Sequence, residues 1–139
     1  EALEFDIKHR YKVLREVIDE SSKKVLVFVP FKHVIDVLTA KLCKDGITTE
    51  IIRGDVSAPK RTEIFRRFQK TPDPKVLVIQ PQAAAHGVTL TAANTVVWWG
   101  PTSSLETYAQ ANARVHRAGQ DHSGTVGRVI YRKACLLIT

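Results

Sequence analysis

Three short runs constrain this chain more than anything else in it: "VLVFVP" at 25–30, "KVLVIQ" at 75–80 and "NTVVWW" at 94–99. Each is apolar at consecutive positions and rich in β-branched or aromatic residues. A strand with one face in water alternates apolar and polar side chains, so runs like these ask for a sheet covered on both faces. A mostly parallel sheet with helices packed on each side meets that demand. The intervening segments supply such helices. Ile7, Tyr11, Leu14 and Ile18 recur at helical spacing, which predicts an amphipathic helix over about residues 6–20. Phe31, Val34, Ile35, Leu38 and Leu42 repeat the pattern until "KDG" at 44–46 ends it. Ser57 as N-cap and Pro59 in the first turn open a third helix carrying Ile64, Phe65 and Phe68, which "TPDP" breaks. "TTEIIRGD" at 48–55 and "TVGRVIYR" at 125–132 read as two further strands, with a helix over about 103–117 before the last. The expected fold is α/β: three layers, with a mostly parallel sheet of about five or six strands and helices on both faces.

A length of 139 residues with 44% apolar content suits one domain with a single core, expected to span 1–139 without linker or repeat. No apolar run is long enough to cross a bilayer, and "EALEFDIKHRYK" lacks the features of a signal peptide, so a soluble, cytoplasmic setting is expected. Cys43 and Cys135 stand far apart with no metal-ligand spacing; both are expected to be buried as small hydrophobes, and no metal site is expected. The formal charge of +7 favours polyanionic partners such as nucleic acid or nucleotide phosphates. Most cations, however, are spread singly along amphipathic segments, where a solvated face explains them. Function therefore rests on constellations of residues.

In parallel sheets ligands bind outside the carboxyl ends of the strands, which points to "PFKH", "RGDVS", "PQAAAHG" and "GPTSS". The small residues around Gly87 let the backbone come close to a phosphate or a neighbouring domain, although an alanine-rich helix against the sheet accounts for them equally simply. His86 reads either as a hydrogen-bonded structural residue or as a functional one. In "QANARVHRAGQ", residues 110–120, helical spacing places Gln110, Arg114 and Arg117 on one face, with Gly119 ending the helix. Cations near a helix C-terminus suit the macrodipole. Both are Arg, though, whose planar fork binds phosphate bidentately, and neither has an acidic residue three or four positions away within the predicted helix. An anion-binding edge is the functional reading.

"QANARVHRAGQ" resembles motif VI of the Swi/Snf family of superfamily-two helicase-like ATPases, whose pattern is close to Q-x-x-x-R-x-H-R-x-G-Q. Ahead of it, in the family's order, "KVLVFVPFKHVIDVL" is similar to motif IV and its helix, "IIRGDVSAPKRTEIFRRFQ" to the next strand, turn and helix, and "VLVIQPQAAAHGVTLTAANTVVWW" to motif V. The likeness runs through residues 6–132, and its wording resembles prokaryotic and phage members. It implies the second, C-terminal RecA-like lobe of a two-lobed, ATP-driven translocase on duplex DNA. By the same resemblance Arg114 and Arg117 would be catalytic arginine fingers, Gln110 and Gly87 would join them around ATP, and Phe31, Lys32, His33, Gln82 and His86 would face DNA.

Magnesium and the ATP phosphates would be held by a Walker A loop and an acidic motif of the first lobe. No G-x-x-x-x-G-K-[ST] occurs here, so the N-terminal lobe is expected as a partner in cis, absent from this chain. The lobe alone would hold no cofactor, be monomeric and be inactive. The sequence departs from the family pattern at Pro81, Ala84, Ala85 and Thr89; Pro81 removes a hydroxyl that could reach phosphate. Two other readings start from the same residues: a strand-separating superfamily-two helicase lobe, and a non-catalytic module that holds nucleic acid by charge.

Overall fold

The computed structural model describes residues 2–84, 90–99 and 128–129, with side chains at 7–83 and 90–99. Helix α1 (Ala2–Glu20) leads into strand β1 (Lys24–Phe28), helix α2 (Lys32–Lys44) and strand β2 (Thr49–Ile52). Helix α3 (Ala58–Lys70), strand β3 (Val76–Ile79), a 3-10 turn (Pro81–Ala84), strand β4 (Ala93–Trp98) and strand β5 (Arg128–Val129) follow. The strands form one parallel sheet in the order β2-β3-β1-β4-β5. Five strands agree with the sequence expectation, and β1 and β3 are shorter than the runs at 25–30 and 75–80. β1 stops at Phe28 because Pro30 has no N–H to give; Val29 N–H makes the last bond, to Ile79 O at 2.9 Å.

Alternate residues of each strand serve opposite layers. Val25, Val27, Val29, Val76, Val78 and Val97 meet Ile7, Leu14, Val17 and Ile18 of α1 and Val34, Ile35, Leu38 and Leu42 of α2. Leu26, Phe28, Leu77, Ile79, Val96 and Trp98 meet Ile64, Phe65 and Phe68 of α3. The placement of α2 and α3 on opposite faces follows from handedness: the β1-to-β2 crossover runs outward, the β2-to-β3 crossover runs back, and both must be right-handed. β1 sits at the centre, where all five of its residues but Lys24 are buried. Among the described residues no helix is long and apolar enough to cross a membrane.

Two expectations are corrected. Cys43 is exposed, because α2 buries the stripe through Leu38 and Leu42 and the next position is turned about 100° away from it. Phe31 does not join that stripe: it is the N-cap of α2, in extended conformation, and its side chain is 55% exposed. Cys135 and the expected helix at 103–117 lie outside the described residues. Ser57 caps α3 as expected, its hydroxyl accepting the Lys60 N–H at 3.3 Å.

Polar contacts fix how the helices dock. Lys24 reaches from the start of β1 to donate to the carbonyls of Phe68 and Thr71, closing the C-terminus of α3. Between α1 and α2, the Tyr11 hydroxyl donates to the Asp45 carboxylate, which also takes Arg15 Nη1 at 2.7 Å. Burial, aided by that hydrogen bond, pushes the Tyr11 hydroxyl up to about 12, and the same bond, with Arg15, holds the Asp45 carboxyl below its ordinary value. A raised tyrosine contributes stability below its unfolded value near 10, which is lost as pH rises toward about 12; a depressed carboxyl contributes above its unfolded value and loses it as pH falls through the folded one. Tyr11→Phe is therefore expected to flatten the fall in thermal midpoint between pH 10 and 12 relative to wild type. Parallel midpoint-against-pH curves for the two proteins would show that the Tyr11 proton does not couple to folding.

Candidate functional site

β1 hands its chain outward to β2, whereas β4 hands its chain to β5 on the other side. In open α/β sheets the crevice above the carboxyl ends at such a reversal is where ligands bind. Here it lies above Phe28 and Trp98, with Trp99 N–H bonded to Phe28 O at 2.9 Å across it. Three loops open on the same edge: Phe31 after β1, Arg53-Gly54-Asp55 after β2, and Gln80-Pro81-Gln82 after β3.

Of the residues expected to face DNA, Phe31, Lys32, His33 and Gln82 stand exposed along this edge. Lys32 and His33 occupy the first turn of α2, which contains no acidic residue. A cation there opposes the positive end of the helix dipole, so the helix itself gives no reason for Lys32. His86, Gly87, Gln110, Arg114 and Arg117 lie outside the described residues.

The structure adds a network that the sequence reading passed over. Arg53, whose side chain is only 18% exposed, donates through Nη1 to Asp36 Oδ1 at 2.8 Å and through Nε to Asp55 Oδ1 at 3.0 Å. Asp55 Oδ2 in turn lies 3.7 Å from Lys32 Nζ. Gln80 Oε1 faces the Gly54 N–H at 3.4 Å, and Gln80 N–H donates to Ile52 O at 2.9 Å. The three loops are thus tied to one another through β2. The hydrogen bond to Asp36, supported by Asp55, raises the Arg53 guanidinium further above its ordinary value. Partial burial works to raise the Asp55 carboxyl, but the hydrogen bond and charge of Arg53, with Lys32, outweigh it and hold that carboxyl low. Both groups are charged at neutral pH. Beyond Arg53 the open edge of β2 borders a groove of about 550 Å³ whose walls include Thr49, Ser57 and Lys60. The visible signal was an Arg directly before a Gly-Asp turn at a strand's carboxyl end. Its partner Asp36, on a different element, could not be paired with it from spacing. Among the described residues no group of His, Cys, Asp and Glu could hold a metal ion.

The family model named helicase conserved C-terminal domain matches residues 9–119. The chain belongs to this family. Its relatives place it with the Swi/Snf-type ATP-dependent helicases. This helicase domain is 36% identical over 125 residues to the DNA repair protein RAD5 of Cryptococcus neoformans, covering 86% of the chain and 10% of that protein. It is 31% identical over 121 residues to the human DNA annealing helicase and endonuclease ZRANB3, covering 84% of the chain and 11% of that protein. An uncharacterized ATP-dependent helicase of Mycoplasma pneumoniae is 33% identical over 123 residues, covering 86% of the chain and 12% of that protein. The helicase domain thus spans about a tenth of the length of these relatives. Among solved structures, the C-terminal part of the Fun30 ATPase domain matches with TM-score 0.74 at 26% identity, covering 84% of this chain and 37% of that one. The C-terminal domain of the Sulfolobus solfataricus SWI2/SNF2 ATPase matches with TM-score 0.55 at 26% identity, covering 67% and 41%. These neighbours share the three-layer, RecA-like fold of the helicase domain.

Proposed function

We propose that residues 1–139 form the second lobe of an ATP-driven translocase on duplex DNA, completed by a first lobe elsewhere in the same polypeptide. In this reading the first lobe supplies the lysine loop and acidic residues that hold ATP with magnesium. Arg114 and Arg117 then reach across the cleft to the γ-phosphate, where guanidinium groups stabilise charge developing in the transition state. Gln110 and the backbone at Gly87 border the nucleotide from the same lobe. Phe31, Lys32, His33, Gln82 and His86 face the duplex, and the loop through Gly87 couples the two ligands. The observation that carries the reading is the family match, which runs to residue 119 and so includes the Arg114 and Arg117 stretch. The exposed Lys32, placed against the α2 dipole, supports a polyanion at the carboxyl edge.

The decisive experiment is an ATPase assay of the full-length protein with and without duplex DNA. Hydrolysis is expected to rise with duplex, whereas the isolated chain 1–139 should show no turnover and only weak DNA binding that fades with salt. Turnover by the isolated chain would overturn the shared-site reading. The fold is also similar to the C-terminal domain of the DEAD-box protein Dbp5, with TM-score 0.66 at 25% identity, so a strand-separating activity is tested alongside. Displacement of a third strand from a triplex, without separation of a forked duplex, is the outcome expected of a translocase.

A further inference from the structure

Asp55 is an odd residue to find at an edge that is to meet DNA. Its two oxygens have different tasks: Oδ1 takes the Arg53 Nε at 3.0 Å, while Oδ2 faces Lys32 Nζ at 3.7 Å. Arg53 is itself fixed by Asp36 at 2.8 Å and largely covered, so Asp55 sits on a rigid arm. Lys32 sits on a long flexible stem and is 64% exposed. A carboxylate held by a guanidinium, with one free oxygen offered to an ammonium, presents to Lys32 what a backbone phosphate would present. Gly54, beside it, has no left-handed backbone angle, and a Cβ there would meet nothing within 4 Å. The fold does not require glycine at that place, and among the described residues nothing crowds the surface beside Asp55.

We propose that Asp55 is an internal stand-in for a DNA phosphate, holding Lys32 at the carboxyl edge when no duplex is bound and surrendering it to the duplex backbone on binding. The inference rests on the reading that Lys32 faces DNA. Energetics favour the exchange. An ion pair between groups this exposed contributes little, whereas duplex phosphates gain from counterion release when a lysine reaches them. Once Lys32 has moved, Asp55 keeps Arg53 occupied and repels a second phosphate, so Arg53 is a positioning residue and makes no contact with DNA.

The test is duplex oligonucleotide binding by fluorescence anisotropy, using the full-length protein as wild type, Asp55→Asn, Lys32→Ala and the double variant. Asp55→Asn is expected to bind about two- to five-fold more tightly, and Asp55→Glu to match wild type. In the Lys32→Ala background the gain from Asp55→Asn should vanish, because no cation remains to be released. A bulk charge effect would tighten binding equally in both backgrounds, and that result, or no tightening at all, overturns the proposal. Wild type that fails to bind duplex would instead remove the translocase reading beneath it. Thermal midpoints within about 2 °C of one another confirm that the variants are folded, as expected for exposed positions.

Discussion

Arg117→Ala in the full-length protein is expected to lower DNA-stimulated ATP hydrolysis at least about 100-fold, and Arg114→Ala to do the same. In the proposed helix their spacing would put both guanidinium groups on one face, from which each would reach the same γ-phosphate. Arginine fingers in phosphoryl transfer are worth roughly 10³ to 10⁵ in rate, and 100-fold is a conservative floor for either alone. The loss should fall on kcat more than on the KM for ATP, because the contact strengthens as charge develops on the transferred group. Arg117→Lys should recover only part of the rate, since an ammonium cannot make the two-pronged contact. Duplex binding should survive in all three variants. Turnover unchanged in both alanine variants would remove the finger assignment, and loss of DNA binding in step with turnover would point to a structural role.

Phe28→Ala is expected to remove a large share of the stability of the domain. Phe28 has no exposed surface and stacks on Trp98, with ring centroids 4.6 Å apart and planes inclined by 25°. It sits at the carboxyl end of β1, the central strand, beside Ile79 on one side and Trp98 on the other. Removing such a ring from a core costs about 3–5 kcal/mol, while a domain of this size is stable by only about 5–15 kcal/mol. The cavity would open directly beneath the crevice between β1 and β4, so any protein that remains folded should also bind its ligands poorly. Urea denaturation of wild type and Phe28→Ala measures the first effect; a midpoint shift corresponding to less than about 1 kcal/mol would mean that the core closes over the gap.

How much could be read before the structure depended on the range of the interactions involved. Strand identity was legible because Val25 to Phe28 and Val76 to Ile79 are apolar without interruption, and only burial on both faces explains that. The Ser57 cap was legible because it is a contact between residues three apart. Phe31 was counted in the helical repeat because periodicity counts residue types and does not see that the helix has yet to begin. Cys43 was misread because a small apolar residue one step beyond a buried Leu42 carries no sign of the direction it faces. The carboxyl edge could be foreseen because parallel sheets bind ligands outside the carboxyl ends of their strands, and Phe31, Lys32, His33 and Gln82 follow β1 and β3 at that edge. The network from Asp36 through Arg53 and Asp55 to Lys32 could not, since its members come from α2 and from the turn after β2.

The layers of this domain and its family are written in local patterns of the chain, because strand burial, helix periodicity and a motif are properties of neighbouring residues. The central place of β1, with α1 and α2 on one face and α3 on the other, emerges only in the folded chain and brings Lys32 beside Asp55. Pairing of that kind is fixed by strand order and crossover handedness, which act between segments far apart in the chain. Whether the edge cation is free or occupied is a question of geometry between loops, and no local pattern of residues encodes it.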